Sequence, residues 1–116
     1  MSDVSGKALL ETLWGKMKTL VIDTSIFGLY FAVLDEKNNP IWTKLITERV
    51  RTSSQISILF DQACKENGLT DSCFGQIYVG KGPGSFAGIR IGLSWVEGFI
   101  APKESKVKVY SFSSLA

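Results

Sequence analysis

The residues most able to do chemistry in this 116-residue chain gather in one glycine-rich stretch, Gly80-Lys81-Gly82-Pro83-Gly84-Ser85-Phe86-Ala87-Gly88, with Arg90 just beyond it. Three phosphate-binding patterns can be tested against it. A nucleotide P-loop needs G-x-x-x-x-G-K followed by Ser or Thr. Gly75, Gly80 and Lys81 supply the first part, but Gly82 stands where the Mg²⁺-holding hydroxyl belongs, and the residues between the glycines read as strand. A dinucleotide turn of the form G-x-G-x-x-A is met by Gly82, Gly84 and Ala87, yet the acid that should close the next strand is missing, since Glu104 precedes that strand. The general form remains: backbone N–H groups of a glycine turn feeding a helix N-terminus hold an anion, with Arg90 as a clamp. The same glycines serve equally well as a tight strand-to-helix turn that needs positive φ and close packing.

The rest of the composition narrows the chemistry. The chain has no histidine, which removes Ser-His and Cys-His nucleophile pairs, and with them a protease reading, as well as His-ligated metal. Cys64 and Cys73 are too few for a four-ligand zinc site and read as reduced thiols. A net charge of +2 with scattered basic residues is not the footprint of a nucleic-acid surface, and the densest run, Lys103 to Lys108, is interrupted by Glu104. With 45% hydrophobic and 21% charged residues, the composition is that of one folded domain with a modest core and no cofactor signature.

The elements that must position these residues follow from pattern. Residues 1–16 carry balanced charge and a short apolar stretch broken by Glu11, unlike a signal peptide or a membrane span, and read as a leader or upstream extension. Leu20-Val21-Ile22 running into Asp23-Thr24-Ser25 predicts a buried strand ending in a turn. Further strands are expected over 29–35 and 41–47, separated by the turn cluster Asp35-Glu36-Lys37-Asn38-Asn39-Pro40, so that three strands form an antiparallel meander. Ser53 or Ser54 can cap a helix whose Ile56, Leu59, Phe60 and Ala63 fall on one face and which ends near Gly68. A strand over 75–80, a helix over 88–101 stopped by Pro102, a strand over 107–110 and the start of another helix at Ser113 complete the order. This is the α/β, ribonuclease-H-like layout: a mixed sheet of meander plus parallel strands, flanked by helices.

Beyond layout, Leu20-Val21-Ile22-Asp23-Thr24-Ser25, the stretch from Gly80 through Ile89-Arg90-Ile91-Gly92, and Tyr110-Ser111-Phe112-Ser113-Ser114-Leu115 resemble the TsaB family, also called YeaZ. The central motif is close to G-x-G-P-G-S-F-T-G-[IL]-R-I-G, with Ala87, Thr52 and Trp95 as departures, and the resemblance covers residues 17–116. It implies the first, actin-like ATPase lobe of a two-lobed bacterial cytoplasmic protein, with the second lobe absent. It also implies a non-catalytic role in forming threonylcarbamoyladenosine at position 37 of tRNA. The implied partners are a TsaD-like catalytic subunit and a TsaE-like ATPase, a second copy when the partner is absent, tRNA only indirectly, and no membrane. Where relatives of that superfamily hold ATP, a glycine follows the first-strand aspartate. Here Asp23 is followed by Thr24-Ser25, a degenerate phosphate turn.

A scaffold needs an outward apolar surface. Ile89, Leu93, Val96 and Ile100 are expected to pack on the sheet, which leaves Gly88, Ile91, Gly92, Trp95 and Gly98 as a second stripe where small residues admit a partner helix and Trp95 serves as anchor. On the first helix Ser57, Asp61 and Cys64 are the candidates for the same surface. The alternative from another class is a nucleotide-binding or phosphotransfer lobe built on Asp23 and the glycine turn.

Overall fold

The chain folds around one mixed sheet whose strands lie in the order β3-β2-β1-β4-β5, in a computed structural model that describes residues 17–24, 28–48, 53–82, 86–103 and 106–113. The strands are β1 (Lys18–Asp23), β2 (Leu29–Leu34), β3 (Pro40–Ile46), β4 (Phe74–Gly80) and β5 (Lys108–Phe112), with helices α1 (Ser54–Asn67) and α2 (Phe86–Ile100) on either side of β4 in sequence. β2 runs antiparallel to both β1 and β3, while β4 and β5 run parallel to β1 and to each other. The expected meander-plus-parallel layout is therefore the observed one.

Local chemistry sets the element ends. β2 stops one residue short of Asp35, because that carboxylate leaves the strand to accept the backbone N–H groups of Lys37 at 2.9 Å and Asn39 at 2.8 Å. Those bonds, led by the one from Asn39, hold the Asp35 carboxyl below its ordinary value. Asn38 takes the left-handed conformation at φ 65°, which asparagine tolerates in tight turns. α1 ends on Gly68 in the left-handed conformation, whose N–H bonds to the Cys64 carbonyl. At its other end Ser53 occupies the cap position without a side-chain cap bond, its carbonyl accepting from Ile56 and Ser57. α2 begins at Phe86, two residues before the expected start, and its end runs into a short 3₁₀ turn, Ala101–Lys103, that carries Pro102. β5 extends to Phe112 because its last residues pair in register with Tyr78, Val79 and Gly80. Ser113 continues beyond the strand without helical structure, donating its Oγ to the Gly82 carbonyl at 3.3 Å. The remainder of the helix expected there lies outside the described residues, as does the leader.

The core sits on one face of the sheet. Leu20, Ile22, Phe31, Val33, Ile77 and Val79 are buried there beneath Ile56, Leu59 and Ala63 of α1 and Val96 of α2. Each such fully buried aliphatic or aromatic side chain contributes roughly 1.5–3 kcal/mol relative to exposure. Phe60 ties the layers together, its ring 5.3 Å from Phe74 on β4 and 5.2 Å from Phe99 on α2. Among the described residues, no helix is long and apolar enough to cross a membrane.

Candidate functional site: the carboxyl edge of the sheet and the helix pair

Three of the sequence-predicted residues meet at the carboxyl ends of the parallel strands. Asp23 closes β1 and Gly80 closes β4, the two strands pairing through Ile22 and Val79. Beside them Gly82 takes φ 107°, a conformation that favours glycine, while the Lys81 N–H bonds to the Phe112 carbonyl at 3.0 Å and ties the turn to β5. Thr24 is 1% exposed and turns inward against α2. A Cβ on Gly92 would come within 2.8 Å of its Oγ1. Gly92 is therefore the residue that lets α2 approach the end of β1. Arg90 is exposed on α2. Ser25, Pro83, Gly84 and Ser85 lie outside the described residues. Phe86 and Gly88 fall in the first turn of α2.

The helix pair forms the second cluster. Trp95 donates its indole N–H to Ser57 Oγ at 2.8 Å, stacks on Phe99 at 5.1 Å between ring centres, and meets Phe60 at 5.5 Å. Since Ser57 lies level with Trp95, and Phe60 with Trp95 and Phe99, the two helices run side by side in the same direction. Asp61, exposed on α1, pairs with Lys65 one turn on at 2.9 Å. Gly98 is exposed with open space around it, and Ile91 is half-buried.

Several expectations for this surface change. Trp95 is engaged within the chain, filling the seam between α1 and α2, and is not a free anchor. Gly92 faces the sheet, and Cys64 belongs to the core at 8% exposure, where burial pushes its thiol up, so neither is on the outward face. Leu93, expected under the helix, is 39% exposed. The reason lies in α2 itself: apolar residues occur all round it, and the small Gly92, rather than a large one, marks the side that touches the sheet. Ile58 belongs to the outward side although it was not among the residues expected there. At 65% exposure it is the most exposed large apolar side chain among the described residues, and its place outside the Ile56, Leu59 and Ala63 stripe was a readable signal. Cys64 and Cys73 both carry free thiols. Among the described residues no group of three metal-binding side chains occurs.

Known proteins place this architecture. YeaZ from Pseudomonas aeruginosa superimposes with a TM-score of 0.75 at 24% identity, over 86% of this chain and 45% of that one. A further structure, described as an uncharacterized protein with similarity to peptidase YEAZ from Pseudomonas aeruginosa, matches with a TM-score of 0.74, also at 24% identity, over 86% of this chain and 44% of that one. The chain thus spans less than half the length of these structures, and their likeness shows that the mixed five-stranded sheet with its two helices is a fold they share. No curated protein matches the sequence. The sequence model of TsaD, tRNA N6-adenosine threonylcarbamoyltransferase, matches residues 50–113, a span that holds α1, the glycine turn, α2 and β5. With more than half of its residues in that match, the chain belongs to the TsaD family.

Proposed function

We propose that this chain is a non-catalytic subunit of tRNA threonylcarbamoylation, supporting modification of adenosine 37 by docking a TsaD-like catalytic subunit through the outward side of the α1–α2 pair, with a TsaE-like ATPase in the same assembly. The family match supports the pathway. The sequence, lacking histidine, has no means of His-based proton transfer or metal ligation of its own. The observation that carries the docking surface is the exposure of Ile58 on the outward side of α1, next in sequence to Ser57, whose hydroxyl accepts the Trp95 indole N–H across the helix pair. Ser57, Asp61, Ile91 and Gly98 flank the seam, and the missing side chain at Gly98 leaves room for a partner helix.

Ile58→Glu and Gly98→Glu test this surface, because both positions are exposed and neither side chain holds the core. Each variant is expected to fold with an unchanged far-UV spectrum and to lose co-purification with a TsaD-like catalytic subunit. Retained co-purification in both would overturn the reading. Trp95→Glu is not a clean probe, since it breaks the interhelical seam as well.

A second reading is favoured by the gathering of Asp23, Gly80, Gly82 and the start of α2 at the carboxyl ends of parallel strands, where open α/β sheets bind ligands. Under it the lobe holds a nucleotide. Titration calorimetry with ATP and Mg²⁺ separates the two: micromolar binding by this chain alone favours the nucleotide, and no heat favours the scaffold.

A further inference from the structure

The amino ends of the three parallel strands border a cavity of about 430 Å³. Met17 just before β1, Phe74 at the start of β4 and Val107 just before β5 give it apolar walls, and Pro102 of the 3₁₀ turn bounds another side. Phe74 and Val107 are 2% and 7% exposed. Asp71 and Lys106, both open to solvent, place one carboxylate and one ammonium at the rim. A cavity of a few hundred cubic ångströms with apolar walls and a small number of polar groups has the make-up of one that takes an organic group. It lies at the opposite end of the sheet from Asp23, Gly80 and Gly82.

The chain itself delivers such a group. Met17 lies close against β4, since a Cβ on Gly75 would fall 3.0 Å from Met17 Cβ, so one wall of the cavity is also a fixed point from which the leader departs. Trp14 and Leu13 stand three and four residues before it in the sequence. Three residues of fully extended chain reach at most about 10 Å, which keeps Trp14 near the cavity whatever path the chain takes. So short a tether gives the indole an effective concentration on the order of millimolar, and a free molecule or a second copy must compete with that.

We infer that the leader docks on its own chain by seating Trp14 in this cavity, the ring against Met17, Phe74 and Val107 and the indole N–H donated to the Asp71 carboxylate. Tryptophan suits the site better than the leucines beside it, because it brings a large apolar surface with one donor that needs an acceptor, and the cavity has apolar walls with an acceptor at the rim. Seated there, the leader clasps the starts of β1, β4 and β5 together. The contact leaves both the α1–α2 pair and the glycine turn open, and it does not rest on the proposed function.

Nuclear magnetic resonance and thermal unfolding of the full 116-residue chain test the inference. The expected result is a set of Overhauser contacts from the Trp14 indole to the methyl groups of Met17 and Val107, unchanged over a concentration series. Trp14→Ala should keep the far-UV spectrum of the fold and lower Tm by about 4–8 °C. Val107→Ala combined with Trp14→Ala should cost less than the two separate losses added together, because the contact is shared. Indole contacts to Tyr30 or Tyr110 on the open face of the sheet, or no contacts at all, would overturn the inference. So would contacts that appear only as concentration rises, which would place the segment on a second copy, a Tm indifferent to Trp14→Ala, or fully additive losses in the double variant.

Discussion

The two faces of the sheet obey the same alternation and end in opposite states. Ile77 is fully buried under the helices, while Tyr78, the next residue on β4, points to the other side, where it stacks on Tyr110 at 5.1 Å and Tyr110 remains 40% exposed. Phe31 and Tyr30 divide in the same way on β2, at 0% and 39% exposure. Strand periodicity assigns residues to faces, but only the helices decide which face becomes core.

The largest expected effect tests that division directly. Ile77→Ala removes methyl groups from a site with no exposure and should cost about 2–5 kcal/mol in urea unfolding. Tyr78→Ala gives up one stacked aromatic pair on the open side and should cost about 1 kcal/mol. Equal losses at the two neighbours would break the comparison, because they would mean that the second face is as closely covered as the first.

A smaller effect distinguishes the two sides of α2. Gly92→Ala puts a methyl 2.8 Å from the hydroxyl of Thr24, a stiff β-branched side chain that is itself buried, and should destabilise by about 1–3 kcal/mol. Gly98→Ala meets nothing within 4 Å and should stabilise by roughly 0.5–1 kcal/mol through helix propensity. Thr24→Ala combined with Gly92→Ala sharpens the assignment: the two losses should fall short of additive, because the contact is shared.

These same residues show how far the sequence could be read. The meander, both helices and the strand order were legible because Leu20-Val21-Ile22, the Asp35 to Pro40 turn cluster and the Ile56, Leu59, Ala63 spacing each carry one dominant signal. The orientation of α2 was not, because its apolar residues point in every direction and a glycine does the packing. The site was legible only in part. Gly82 was recognisable as a residue suited to positive φ, whereas Ser57 and Trp95 were read as two parts of one outward surface. Their hydrogen bond, which turns Trp95 from surface anchor to seam, joins residues 38 positions apart and leaves no local trace. Gly28 was missed for a similar reason. Its φ of 94° and the approach of its Cα to the Ile46 carbonyl, only 1.8 Å from where a Cβ would sit, depend on how β3 returns past the start of β2.

The smallest effect concerns the polar end of the sheet, where Lys18 of β1 donates to Glu36 of the β2–β3 turn at 2.8 Å, beside a shallow notch that also includes Thr19 and Gln76. The Lys18 hydrogen bond holds the Glu36 carboxyl below its ordinary value of 4.5. The folded state therefore binds this proton less readily than the unfolded chain. Its contribution to stability is fully present above pH 4.5 and is lost as pH falls through the lower folded value. Glu36→Gln should accordingly lower Tm slightly at neutral pH, and the gap from wild type should close on acidification through that window. Added salt should narrow it at neutral pH, because the pair is partly exposed to solvent. A gap that persists unchanged in acid would assign the loss to side-chain packing in the turn, and would make this end of the sheet resemble the buried core more than its exposure indicates.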